Sequence, residues 1–341
     1  DPAQVRAALE MYEASRSKAN YRVYMEAAEP RRQEFVRRLN QVPSATGSLV
    51  AMRHDLLGMT QEHPTLAALD LDFRHLFSSW FNRGFLVLMP INWESPAHIL
   101  EKIIEYEAVH AIDSWSDLRR RMQPTDRRCF AFFHPAMPDE PLIFVEVALT
   151  KGVPGSIQKV LADGRDELDA QKADTAVFYS ISNCQAGLAG ISFGNSLIKQ
   201  VVDDLSRQLP GLKTFVTLSP IPGLAGWVDE QGLGATVTQE NLQALAAHYL
   251  LNAKRSDGAP LDPVARFHLG NGAMIHAVHA NADTSESGQA QSYGAMVNYL
   301  YDLSANAQNH EGFADSFAVA ASADVKALAR AAKKNETKGT I

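Results

Sequence analysis

The chain is short of cysteine, of long apolar runs and of positive charge, and each shortage closes off a class of function. Only Cys129 and Cys184 occur in 341 residues. Two thiols make no disulfide framework, which fits a reducing compartment such as a bacterial cytoplasm or a mitochondrial matrix. Thiols of this kind are more often small buried hydrophobes than reactive groups. No apolar run approaches the roughly 20 residues that cross a bilayer. Asp1–Glu10 carries no signal-peptide pattern, and the chain opens on Asp1 instead of Met, which leaves room for residues before it. The closing Lys338-Gly339-Thr340-Ile341 is not a peroxisomal Ser-Lys-Leu-type address. With 32 basic against 39 acidic residues the formal net charge is -7, which argues against a nucleic-acid surface. A small anionic ligand stays compatible, because a few backbone N–H groups can hold phosphates on a negative protein. P-loop, Rossmann glycine fingerprint, G-x-S-x-G elbow and internal repeat are all missing.

What is present is apolar content for a sizeable core, 46% of residues, and a length that suggests two domains. Residues 1–82 read as helix after helix. Val5, Ala8, Leu9 and Tyr12 share a face, as do Phe35, Val36 and Leu39 after Pro30. Leu49, Met52, Leu56 and Met59 keep the same spacing, then Leu66, Leu69, Phe73, Leu76, Phe77 and Trp80. A helical bundle is the economical reading. From residue 83 to 341 the pattern mixes strands with helices. Gly84–Leu88, Arg128–His134, Leu142–Leu149, Thr175–Ser182 and Lys213–Leu218 are strand-like, and the Pro138-Asp139-Glu140-Pro141 turn predicts an antiparallel hairpin. Amphipathic helices are expected after Ser95-Pro96, over Asn195–Gln208, around Leu242–Tyr249 and over Val325–Lys333. The fold class is α+β: an all-helical bundle domain, 1–82, then a domain with a mainly antiparallel sheet, 83–341.

Three motifs could carry chemistry. In the first, the strand ending at Ser182 runs through Gln185, Gly187, Gly190, Gly194 and Asn195 into a helix. Glycines admit an anion to backbone N–H groups, and a helix N-terminus adds partial positive charge. On glycines alone, a plain strand-to-helix connection is the better reading. In the second, Thr217-Leu218-Ser219-Pro220-Ile221-Pro222-Gly223 holds a hydroxyl rigidly after a strand, though Ser219 as a helix N-cap with Pro220 at the first position fits as well. In the third, His268 lies between apolar neighbours before Gly270-Asn271-Gly272, as a proton carrier, an oxyanion donor or a structural histidine. His276 and His279, with Asp283, have a metal-like spacing only on a helix, and Met274–His279 reads more as a strand. Arg119-Arg120-Arg121 reads as a solvated helix end or as a reach toward an acyl-carrier phosphate.

Taken together these segments resemble the malonyl-CoA decarboxylase family. The resemblance lies in Phe178-Tyr179-Ser180-Ile181-Ser182 with Gln185, Gly187-Leu188, Gly190 and Gly194, then Leu197-Ile198-Lys199. It continues in Leu218–Gly223, in Phe267-His268-Leu269 with Asn271-Gly272-Ala273, and in Met296, Asn298-Tyr299 and Tyr301. Upstream, Phe73–Phe77, Glu107-Ala108-Val109-His110 and Val147–Thr150 also match. It covers about residues 20–305. It implies a helical oligomerisation domain followed by a GNAT-type acyltransferase fold, with the glycine turn holding the pyrophosphate of coenzyme A. It also implies a catalytic pair, Ser219 and His268, with secondary positions at Ser180 and Tyr301, and a homo-oligomer, plausibly a tetramer. Two departures stand out: a shorter stretch between Ser219 and His268 than in mitochondrial-type members, and Ser192 where some relatives carry an acid.

The implied reaction takes malonyl-CoA to acetyl-CoA and carbon dioxide through a thioester enolate. That asks for donors aimed at the thioester oxygen and a carboxylate held perpendicular to the carbonyl plane, and for no metal or organic cofactor beyond the CoA of the substrate. His268 is expected at the enolate and on the proton route and Ser219 at the carboxylate or carbonyl, with the two roles exchangeable on sequence alone. Ser219 as a covalent nucleophile is disfavoured, because no acidic third member is evident. The rival functions are a CoA-dependent acyltransferase of the same fold and a silent CoA-ester sensor.

Overall fold

A computed structural model describes residues 1–191 and 197–336, which cluster into two compact units. The first is built from helices α1 (Pro2–Ala14), α2 (Lys18–Ala28), α3 (Arg31–Leu39), α4 (Ala45–Met59) and α5 (Ala67–Trp80). Asp1 and Ser17 cap the first two, accepting from the Ala3 and Asn20 amides and satisfying donors that the helix cannot. Leu49, Val50 and Leu56 of α4 meet Phe73, Leu76 and Phe77 of α5 in the core. The ring of Phe77 packs edge to face with those of Phe73 and Phe81, centroids 5.5 Å apart in both cases. Burying each ring contributes about 1.5–3 kcal/mol. Some expected core residues face outward: Phe35 is 61% exposed while Val36 takes the inside, and Met52 and Met59 are exposed too. The unit also takes in two pieces from far along the chain, His134–Pro138 and the glycine turn from Gln185 on.

The second unit is organised by one sheet. Its strands are β1 (Val87–Ile91), β2 (Arg127–Phe133), β3 (Ile143–Thr150), β4 (Thr175–Asn183), β5 (Thr214–Thr217), β6 (Ser219–Pro220), β7 (Met274–His279) and β8 (Met296–Leu300). Their order is β1-β2-β3-β4-β5-β8-β6, with β7 also on β8. The pairing is antiparallel except between β4 and β5. A parallel pair needs a crossover, and the helix Leu197–Gln208 is part of it. The helices are α6 (Ala97–Tyr106), α7 (Trp115–Met122), α8 (Ile157–Leu161), α9 (Leu197–Gln208), α10 (Leu224–Glu230), α11 (Leu242–Asn252), α12 (Pro263–Gly270), α13 (Glu286–Ser292), α14 (Asn306–Ser316) and α15 (Ala323–Glu336). The expected hairpin is β2–β3, and α9 buries the five residues of its predicted stripe, Leu197, Ile198, Val201, Val202 and Leu205. The helical N-terminal region and mainly antiparallel sheet are thus as the sequence predicts.

Two irregularities shape the middle of the sheet. The β3–β4 register shifts between Glu146 and Val147, so that Glu146 faces Ser180, Val147 faces Phe178, and Tyr179 is the extra residue of a bulge. The β4–β5 pairing ends at Phe178 and Thr217, with one further bond from the Leu218 amide to the Phe178 carbonyl. Beyond it β4 stays with β3, whereas Ser219 and Pro220 pair with β8. Ser180 and Ser219 therefore each stand just past the last β4–β5 pair, on strands that have parted company.

Candidate active site

Ser219 is held by the β6–β8 pairing with Val297, and Gly223, not Ser219, occupies the N-cap of α10. The helix-cap reading of Ser219 is therefore corrected: its hydroxyl is free for other partners. His268 sits near the end of α12, whose N-cap Asp262 and first-turn Pro263 fix where the helix starts. Ser219 Oγ lies 3.3 Å from His268 Nε2 and donates to Thr217 Oγ1 at 2.8 Å. His268 Nδ1 lies 2.8 Å from the Tyr301 hydroxyl. Thr217 Oγ1 also accepts from the Tyr299 amide at 3.1 Å, and its carbonyl accepts from Asn298 Nδ2 at 2.7 Å. The Tyr299 ring stacks on the imidazole, centroids 4.5 Å apart and planes at 22°.

This network closes in one direction. Ser219 gives its proton to Thr217, so its oxygen accepts from His268 Nε2–H; His268 Nδ1 then accepts from Tyr301. Burial pushes the imidazole down to about 3 and the Tyr301 phenol well above its usual range, so both are neutral at neutral pH. A neutral imidazole with its proton on Nε2 is a hydrogen-bond donor, and the serine beside it is not an activated nucleophile.

Ser180 belongs to a second cluster. Its hydroxyl lies 2.7 and 2.9 Å from the two carboxylate oxygens of Glu107, and Ser182 reaches the same group at 3.4 Å. Glu107 Oε1 also accepts from the amides of Val109 and His110 at 2.9 and 2.8 Å. Next to it Glu146 is fully buried, 3.4 Å from Arg121, and burial together with the Glu107 charge pushes its carboxyl up to about 8. His110 is pushed down to about 4, chiefly by burial. Among the described residues, His110 Nε2, Glu146 Oε1 and Tyr179 Oη here, and Tyr299 Oη beside His268, are buried side-chain atoms with no hydrogen-bond partner. Arg121 is itself buried, bonded to the carbonyls of His110 and Ala111 at 2.7 and 2.8 Å, so the expectation of a solvated arginine run holds only for Arg119 and Arg120. Glu107 is the site residue that sequence reasoning passed over: its signal was the Glu107-Ala108-Val109-His110 match, but its partner Ser180 is 73 residues away.

The glycine turn has a different reason for its first glycine than the one the sequence suggests. A Cβ on Gly187 would stand 2.0 Å from the Val50 carbonyl oxygen, and Arg53, itself buried, donates to the Gly187 carbonyl at 2.7 Å. Gly187 is needed so that α4 can pack against the turn. Gly190 has φ +73, and a Cβ there would lie 3.9 Å from Arg74 Nη2. Gln185 precedes the 3-10 turn Ala186–Leu188; Ser192, Gly194 and Asn195 lie outside the described residues. His276 and His279 fall on strand β7, and His279 Nε2 contacts Asn298 Oδ1. Cys129 and Cys184 are buried, and burial raises both thiols.

The malonyl-CoA decarboxylase N-terminal domain model matches residues 1–81, and the malonyl-CoA decarboxylase C-terminal domain model matches 84–236 and 230–339. The mitochondrial malonyl-CoA decarboxylase of Anser anser anser is 35% identical, over 87% of this chain and 69% of that protein. A malonyl-CoA decarboxylase structure from Agrobacterium vitis superposes with a TM-score of 0.90 at 51% identity, covering 96% of this chain and 87% of that one. One from Rhodopseudomonas palustris gives 0.88 at 49% identity, covering 95% and 86%.

Proposed function

This chain belongs to the malonyl-CoA decarboxylase family and is a carboxy-lyase that converts malonyl-CoA to acetyl-CoA and carbon dioxide; we propose that the reaction runs at the Ser219–His268–Tyr301 network. The observation that carries this reading is the donor direction of the network. Breaking the bond between the carboxylate carbon and the methylene moves its electron pair into the thioester, which becomes an enolate. A neutral Nε2–H, already turned outward from Tyr301, can leave Ser219 and donate to that oxygen. Such a donor in a buried, low-dielectric site strengthens as charge develops on the acceptor. The enolate carbon then takes one proton to become the methyl group of acetyl-CoA. His268 Nε2 passes its proton on as Nδ1 takes the Tyr301 proton, and solvent restores the phenol, so that the one proton consumed comes from water. Ser219, its own proton committed to Thr217, orients the imidazole by accepting from Nε2–H. No step here calls for a metal or an organic cofactor.

For the coenzyme itself, the turn around Gly190 is the proposed pyrophosphate contact: its backbone is open in the left-handed conformation, and the exposed guanidinium of Arg74 stands beside it. The helical unit exposes Met11, Tyr21, Val23, Met25 and Phe35, which supports its use in a homo-oligomer. Met25→Glu with Phe35→Glu is expected to shift the sedimenting species to a smaller one; unchanged sedimentation would remove the helical unit from assembly.

The direct test is to incubate the purified protein with malonyl-CoA, a chelator and no acyl acceptor. Stoichiometric acetyl-CoA and carbon dioxide are expected. Free CoA and an acylated amine that form only when an amine is added would favour the acyltransferase reading, and loss of turnover restored by metal would overturn the cofactor-free reading.

A further inference from the structure

Ser219 and His268 reach one another from separate segments, one on β6 and the other on α12. Their 3.3 Å contact therefore depends on what fixes the start of α12 relative to the loop after Ser219. One side chain touches both. Asp262 Oδ1 caps α12 by accepting from the Ala265 amide at 2.8 Å. Asp262 Oδ2 accepts from the Gly223 amide, where α10 begins, at 3.5 Å, and from the Tyr249 hydroxyl of α11 at 3.4 Å. Gly223 is held close: a Cβ there would stand 2.2 Å from Tyr249 Oη. Behind Asp262, Arg266 Nη1 ties the approach to α12 through the carbonyls of Pro260 and Leu261, at 2.8 and 2.6 Å.

A helix cap uses one oxygen, and asparagine serves as well as aspartate there. A second carboxylate oxygen, on a residue 1% exposed, is more than a cap requires, since a buried acid is costly unless its partners repay the desolvation. Burial raises the Asp262 carboxyl above its usual range, against the pull of the Ala265, Gly223 and Val264 amides. Burial lowers His268, and Asp262 bonds to the start of its helix and not to the ring, so Asp262 acts on where the imidazole sits.

We propose that Asp262 is a positioning residue that sets the Ser219–His268 contact by tying the start of α12 to the loop that follows Ser219. The proposal rests on reading that pair as the reacting site. Asp262→Asn separates the two jobs. It keeps an oxygen for the Ala265 amide, but it turns an amide N–H toward the Gly223 N–H, and two donors cannot pair. The thermal midpoint is expected to fall modestly from the unpaired donors and KM to stay near that of the wild type, while kcat falls roughly ten- to a hundredfold, the scale of a small misplacement of reacting groups. In a His268→Ala background the same change is expected to cost nothing further, because there is no imidazole left to position. An unchanged kcat for Asp262→Asn, or a full further loss on top of His268→Ala, would overturn the proposal. If Asp262→Asn does not fold, Gly223→Ala carries the test: its methyl displaces the loop against Tyr249 Oη, and Gly223→Ala with Tyr249→Phe should regain most of kcat. A double variant as slow as the single one would count against the tie. Should His268→Ala itself keep full activity, the reading of the pair fails, whatever Asp262 does.

Discussion

Ser180 and Ser219 occupy matching places, each just past the last β4–β5 pair, and they are wired in opposite senses. Ser180 gives its proton to the carboxylate of Glu107, in a cluster that holds Glu146 and Arg121. Ser219 gives its proton to a threonine and faces a neutral imidazole backed by a neutral phenol. The difference says where negative charge can form. An enolate that developed beside Glu107 would be opposed by a carboxylate, in a region where low dielectric magnifies repulsion. Beside His268 it meets a neutral donor backed by a neutral phenol. The charged cluster fits a scaffold that stiffens β4 and the bulge at Tyr179, and the neutral one fits the chemistry.

The largest expected effect tests that division directly. Ser219→Ala and His268→Ala should each remove about 2.7–4 kcal/mol of transition-state stabilisation, the scale of one oxyanion donor. Their double variant should lose less than the sum, because the two groups act through one network. Ser180→Ala should cost kcat much less and show mainly as a loss of stability of about 1–3 kcal/mol, since it leaves the buried Glu107 carboxylate one donor short. The readout is kcat beside the thermal midpoint for all four proteins. A Ser180→Ala defect in kcat as deep as that of Ser219→Ala would erase the comparison.

A smaller effect separates packing from binding at the glycine turn. Gly187→Ala places a methyl against the Val50 carbonyl of α4, an overpacking that costs about 1–3 kcal/mol. The expected result is a lower thermal midpoint with KM for malonyl-CoA little changed. A raised KM at unchanged stability would give Gly187 back to the pyrophosphate.

That glycine shows what was legible in the sequence and what was not. Helix and strand periods were readable because burial repeats locally: the stripe of α9 and the β2–β3 hairpin came straight from residue order. The pair Ser219 and His268 was readable only through the resemblance, since each residue alone had an ordinary structural explanation. Contacts that close over long stretches of chain left no local trace. Val50 and Gly187, Glu107 and Ser180, and the bridge from Asp262 to Gly223 are all of that kind. Phe35 was misplaced for a related reason: an apolar residue on a short helix does not reveal which neighbour, if any, covers it.

The smallest expected effect is none at all, and it sharpens the contrast between the two clusters most. An ordinary histidine changes charge near pH 6.5, which would put an acid limb in the middle of the working range. His268 is pushed down to about 3 by burial alone, so in the folded protein it stays neutral from pH 5 to pH 8. Its ring signal in a histidine-labelled NMR titration should not move over that range. Stability behaves differently, because the unfolded chain takes a proton near pH 6.5 that the folded chain refuses until about 3. The contribution of the neutral imidazole is therefore present above pH 6.5 and is lost as pH falls toward 3, by about 1.4 kcal/mol per unit. In His268→Gln that loss is absent, so the gap in stability between the two proteins should shift in favour of the variant as the solution is acidified. A His268 signal that titrates near 6.5, with no change in that gap, would mean the imidazole is charged during turnover and acts as an acid, not as a neutral donor.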